Sequence, residues 1–438
     1  MKQSIKNCYD SHVHFFATGQ VDAGLNLRVL NSENSVCDLK IEPTHYRSDW
    51  LTGFGWDQHQ WQNKNFPNKK ILDETFKTTP VFFSRVDGHS SWMNSAAIEK
   101  LKGLGYNFHS DPAGGQIERD VRGEPTGILL DQAHINALLM LPAYSKAQTI
   151  QFVERAQKIF NRGGFTHVRD LSMTLDLWTL LKEQEALKKL TVCIDSFVTV
   201  ESIADLPRVL AEIKAMQALP SPQLRVHGIK FFVDGSLGSK TAYLSQPYLK
   251  SNLRGLLIWP PEDIKAALKI IWQNQLDAAV HTIGDQAVHE VVLAARAVSA
   301  SGILGRLHLE HVQIIRPDTL ILMKPLHVTC HMQPCHWLSD HAWLNEVLAS
   351  SLLPNLFPWE GLRKNKINFD FGSDSPIEAP SILRTFEALR LSAEKNIPAL
   401  NMNGADLHRH PDGDWTRSHT EFTEQKIEQV YFDGEPLN

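Results

Sequence analysis

Residues 10–15 read DSHVHF, and two histidines one residue apart are the first feature of the chain able to do chemistry. In a β-strand residues i and i+2 share a face, so His12 and His14 could offer two imidazoles to one cation, although 20 histidines also make a close pair by chance. Lys230 lies in HGIKFFVDG, where period-two counting puts Gly228, Lys230 and Phe232 on one face. An ammonium inside an apolar strand is costly, and its pKa falls. Such a lysine snorkels out of the strand end or pairs with Asp234; alternatively its neutral amine takes up carbon dioxide, giving a carbamate that can bridge two cations. His281 closes LDAAVH, His311 closes LHLEH, and Asp374 stands in FGSDSP. Singly, each has a plainer explanation, a core histidine bonded to backbone or a helix N-cap ahead of SILRTFEALRL. As a set of imidazoles and carboxylates they suit Zn²⁺, and equally Fe, Mn or Co.

Such residues need a frame that brings them together. From about residue 147 short apolar runs alternate with helix-period segments, the pattern of parallel strands joined by crossover helices. Seven runs are visible: 164–171, 190–200, 224–235, 276–285, 306–315, 325–334 and 367–376. With NCYDSHVHF as the first, eight strands give the arithmetic of a (β/α)8 barrel, whose chemistry sits at the C-terminal strand ends. His12, His14, Lys230, His281, His311 and Asp374 all fall there. The 145 or so residues between the first two strands exceed any ordinary βα loop and imply an inserted subdomain over 20–145. Its tryptophans Trp50, Trp56, Trp61 and Trp92 suggest a roof over the site. The expected division is a first barrel strand in 1–19, that insert, the rest of the barrel in 146–395, and a tail in 396–438 of which only KIEQVYFDGEPLN alternates like a strand.

Composition excludes several functions. Lys+Arg 44 against Asp+Glu 49, net charge −5, offers no polyanion-binding surface, so nucleic acid is not an expected partner. No apolar run approaches the ~18 residues of a membrane span, and the N-terminus lacks a secretory core, which points to a cytoplasmic protein acting on a small molecule. Five cysteines at unrelated spacings argue for reduced thiols. CHMQPCH (330–336) is not a zinc finger: alternation sends Cys330 and His331 to opposite faces and Pro334 breaks the strand. Gln333 and His336 then stand near the pocket rim.

The sequence resembles the amidohydrolase superfamily, and within it the YtcJ-like branch similar to N-substituted formamide deformylases. The resemblance covers roughly residues 9–390 and rests, in order, on DSHVH, GFGWDQHQW, VDGHSSWMNSAA, GGQIERDVRGEPTGILLDQA, GIKFFVDGSLGSKTA, HTIGDQAV, RLHLEHVQ, MQPCH and GSDSPIEAP. It implies a binuclear centre, two Zn or related divalent ions, with His12 and His14 on one metal, His281 and His311 on the other, carboxylated Lys230 between them, and Asp374. It implies hydrolysis of a non-peptide C–N bond by a metal-activated hydroxide, with Asp374 shuttling the proton to the leaving amine. His89, Trp92, Asn94, Ser236 and Gly238 are expected to hold substrate, with Gln333 and His336 close by. The tryptophan-rich insert suggests a substrate with a small acyl group and an apolar amine.

The chain departs from that family at its ends. Members carry fifty or more residues ahead of the H-x-H strand as half of a small β-sandwich; here eleven precede His12, and the family's closing G-K-x-A-D pattern is missing. The expected architecture is therefore a distorted TIM barrel with a large insertion after strand 1 and a reduced or absent β-sandwich, its underside open to pairing as a homodimer. The same ligands would also serve a deaminase or a lactone hydrolase, and a barrel that had lost its chemistry would act as a binding or regulatory module.

Overall fold

The computed structural model describes residues 2–394, 408–412 and 415–437. The chain forms two compact units, one made of its two ends, through Thr18 and from Ala156 onward, the other of Gly19–Arg155.

The first unit is an eight-stranded parallel barrel: β1 (Tyr9–Val13), β2 (His167–Met173), β3 (Cys193–Thr199), β4 (Leu224–Phe232), β5 (Asp277–Thr282), β6 (Arg306–His311), β7 (His327–Met332) and β8 (Asn368–Phe371). Neighbours pair in chain order from β1 to β8, so each of the eight runs read from the sequence is a strand. Helices return the chain between them, as Asp285–Ala300 does between β5 and β6, burying Ala287, Val288, Val291, Val292, Ala295 and Val298 at helical spacing. Leu307 and Leu309 of β6 are buried; the alternate residues His308 and Glu310 point inward, where Leu171, Phe197 and Ala279 form a small apolar plug.

Between β8 and β1 the barrel closes through a thin seam. A single bridge joins Val13 to Ser375, flanked by Asp374 N–H donating to His12 O at 2.7 Å and His14 N–H donating to Ser375 O at 2.8 Å. Gly372 permits this approach, since a Cβ there would lie 2.4 Å from His12 N. The reduced sandwich is a four-stranded antiparallel sheet in which Gln3–Lys6 pairs with His419–Phe422, followed by Ile427–Phe432 and Glu435–Leu437. His419–Phe422 falls in a stretch whose sequence has little periodicity; its pairing with Gln3–Lys6 makes it a strand. Part of the expected tail, 396–407, lies outside the described residues.

The second unit is built on a mixed seven-stranded sheet that includes Trp50–Trp56, Val81–Arg85, Ser90–Met93 and Pro125–Asp131. The reading of its tryptophans as lining a substrate roof is corrected by their burial. Trp56, Trp61 and Trp92 pack together in one core of this unit and Trp50 in another. Their indole N–H groups are satisfied there: Trp56 donates to Phe83 O, Trp61 to Leu30 O and Trp92 to Asn68 O. Aromatic area drives such packing once the indole finds an acceptor. Among the described residues no helix is long and apolar enough to cross a membrane.

Candidate metal centre

At the C-terminal mouth of the barrel the strand ends bring four histidines, a lysine and an aspartate into one cluster. His12 Nε2 lies 3.2 Å and His14 Nε2 3.5 Å from Asp374 Oδ1, while His336 Nε2 lies 3.6 Å from Oδ2. Two triplets have ligand atoms all within 4.8 Å of one another: His12, His14 and Asp374, and His311, His336 and Asp374. His281 joins through its ring, centred 4.5 Å from that of His311, which is 4.7 Å from that of His12. Lys230 is fully buried, its Nζ 4.6 Å from the centre of the Phe232 ring.

Backbone strain helps to aim two of these groups. His311 has φ 72°, Val312 φ 45° and Asp374 φ 58°, in the left-handed region that side chains disfavour. Alternation along β6 puts His308 and Glu310 on the inner face, so His311 would face outward; the left-handed turn swings its imidazole back over the mouth.

Burial pushes the Lys230 amine down to about 8, against the pull of Glu310 and Asp374. Burial likewise takes His14 down to about 4 and His311 well below the ordinary imidazole value, with His12 and Lys230 adding to both shifts. For Asp374 burial acts upward, but His12, His311 and His336 outweigh it and hold the carboxyl well below the usual range. The cluster therefore offers neutral imidazoles at His14 and His311 and an ionised carboxylate, the protonation states a divalent cation requires.

The polar atoms themselves show that a cation fits. His12 Nε2 and Lys230 Nζ are buried without a hydrogen-bond partner, a costly arrangement in a protein interior. These donors are nitrogen and oxygen throughout, suited to zinc and its neighbours.

Residues 9–392 match the amidohydrolase family. The chain belongs to that family. It is a hydrolase of that family, and its donor set at the barrel mouth suits a divalent metal. This amidohydrolase is 29% identical over 404 residues to the YtcJ protein of Bacillus subtilis, covering 90% of this chain and 74% of that one. It is 28% identical over 287 residues to the N-substituted formamide deformylase of Arthrobacter pascens, covering 59% and 49% respectively. A crystal structure of an uncharacterized metal-dependent hydrolase from Pyrococcus furiosus superposes with a TM-score of 0.67 at 26% identity, over 89% of this chain and 77% of that one.

The remaining residues singled out from the amidohydrolase sequence fall in three places. Gln333 and His336, 2% and 8% exposed, lie deeper than a rim: Gln333 Oε1 is 2.9 Å from His311 Nδ1, and Gln313 Nε2 donates to His336 Nδ1 at 3.2 Å. Ser236 is tied into the loop after β4, its carbonyl accepting from Thr241 and Ala242 and its hydroxyl from Ser239, with Gly238 in the same turn. Neighbouring Gly235 O lies 3.3 Å from His281 Nε2. His89, Trp92 and Asn94 belong to the second unit. There His89 pairs with Asp131 at 3.1 Å, while Asn94 caps the helix Ser95–Gly103 through Ala97 N–H and also accepts from Val81 N–H.

Sequence reasoning missed the residues behind the ligands. Glu310 Oε2 is 2.7 Å from His12 Nδ1 and its Oε1 accepts from Arg169 Nη2 at 2.9 Å, all three side chains buried. Asp234 accepts from the backbone N–H groups of Tyr243, Ile283 and Gly284, anchoring the loops after β4 and β5. The available signal was period two, which puts Glu310 on the inner face of a strand that closes on His311.

Proposed function

We propose that this amidohydrolase cleaves a non-peptide C–N bond of a small amide or formamide-like substrate at a two-ion centre held by His12, His14, His281, His311, Asp374 and the carbamate of Lys230. The observation that carries the reading is the gathering of His12, His14 and His311 around a single ionised carboxylate, that of Asp374. Two divalent ions at this centre would acidify a water and polarise the scissile carbonyl. Lys230 enters as the neutral amine that its burial favours: its nitrogen bonds to the carbon of carbon dioxide and sheds a proton, and the resulting anion helps to balance the cations. Asp374, ionised and with its Oδ2 facing His336, accepts the water's proton and returns it to the leaving nitrogen. The likeness to an N-substituted formamide deformylase supports an amide-type bond. With the tryptophans committed to cores, an apolar amine side has no support from them.

Elemental analysis of protein purified without added metal tests the reading. Close to two transition-metal ions per chain are expected in the wild type and fewer than half that number in Lys230→Ala, together with turnover of small formamides and amides that disappears on chelation. A wild type that stays empty after incubation with bicarbonate and zinc overturns it and leaves a binding module.

A further inference from the structure

A neutral imidazole has one proton for two nitrogens, so the nitrogen that faces a metal is decided by what the other one meets. For His12 that partner is unusually well fixed. Nδ1 lies 2.7 Å from Glu310 Oε2, and the second carboxylate oxygen accepts from Arg169 Nη2. Arg169 is itself locked, its Nη1 donating to Ser11 O at 3.1 Å and its guanidinium lying 4.2 Å from the centre of the Phe197 ring. We infer that Glu310, oriented by Arg169, is the positioning residue that keeps the His12 proton on Nδ1 and turns the Nε2 lone pair toward the centre. The inference rests on the metal reading above and adds to it the device that sets the tautomer.

The geometry makes an asymmetric demand on any replacement. A carboxylate can accept on both oxygens, from Arg169 and from His12 together. An amide cannot: in Glu310→Gln the guanidinium, which only donates, claims Oε1, and the NH₂ group is left facing His12 Nδ1. Nδ1 must then accept, the proton moves to Nε2, and the nitrogen aimed at the metal is blocked. With Arg169 also removed, the glutamine is free to turn its oxygen to His12.

The test is zinc affinity of chelator-treated protein, measured by competition with a chromogenic chelator, with circular dichroism as the check on folding. Glu310→Gln is expected to bind zinc about 10- to 100-fold more weakly than wild type, the usual range for loss of such a partner. Arg169→Met/Glu310→Gln is expected to recover most of that loss, and Arg169→Met/Glu310→Met, which has no acceptor, is not. Because both double variants lack the guanidinium that competes for the side-chain oxygen at position 310, their comparison holds even if the single variant does not fold. Equal affinity in the two doubles, or wild-type affinity in a folded Glu310→Gln, overturns the inference. A wild type that takes up no zinc fails earlier, on the metal reading itself.

Discussion

His336 sits among the proposed metal ligands, and its tautomer argues that it is not one of them. Gln313 Nε2 can only donate, so its contact with His336 Nδ1 leaves the proton of the neutral ring on Nε2, the atom facing Asp374. A protonated nitrogen repels a cation and serves as a donor to a developing oxyanion or a leaving group. His336→Asn is therefore expected to keep its metal content and lose about 10²-fold or more in kcat with little change in KM; metal analysis beside steady-state kinetics separates the two roles, and loss of metal would make His336 a ligand. At this scale the sequence shows a residue where a strand end and a titratable side chain coincide, as at His12, Lys230 and His281. It hides Arg169 and Glu310, 141 residues apart, because nothing in either local stretch names the other. It also hides how His311 reaches the site, because φ 72° breaks the alternation on which a strand reading depends.

Elements were legible where period and punctuation agreed. All eight barrel strands stand in their runs because each couples an apolar β-type core to a turn and a helical segment, a purely local pattern. The strand His419–Phe422 is not local in this sense: its partner Gln3–Lys6 lies at the other end of the chain. The tail is pinned to the barrel by a further device that no spacing announces. Asp195 at the start of β3 is held by His227 Nε2 on one oxygen and His410 Nε2 on the other, both at 2.7 Å. For Asp195 burial acts upward, but the two histidines outweigh it and depress the carboxyl far below its ordinary value, while the carboxylate raises His227 despite its burial. A depressed acid contributes stability that is lost as pH falls below its unfolded value near ~4. A raised histidine contributes stability that is complete below ~6.5 and lost as pH climbs through its folded value. The clamp is thus strongest between roughly pH 4 and 6.5. Asp195→Asn should cost about 1.5–3 kcal/mol, toward the lower end because His227 is a third exposed, and the loss in Tm should be larger at pH 5.5 than at pH 8.5. A loss that grows toward alkaline pH would show that the histidines do not carry it.

For the whole molecule the decisive feature is where the proposed ligands lie along the chain. His12 and His14 leave β1 and Asp374 follows β8, so a bound ion would tie the two strands that meet at the barrel's thinnest ladder, one bridge and two flanking backbone hydrogen bonds. An ion that binds only the folded state stabilises it by about 2.7 kcal/mol when present at 100 times its Kd, and that stability should be localised where the ion makes contact. Hydrogen exchange of the holoprotein, before and after chelation, reads this directly. Removing the metal should speed exchange most in Tyr9–Val13 and in Asn368–Phe371 with the residues just after it. Val81–Arg85 and Ser90–Met93 belong to a unit with its own cores and none of the proposed ligands, and their protection should be unchanged. Uniform deprotection of both units would mean that the metal acts on global stability alone, and protection that survives intact at the seam would mean that hydrogen bonds close the barrel without it. The expected pattern follows from proposed ligands that lie on the first strand and just after the last strand of the barrel, so that an ion bound there would brace the seam between them.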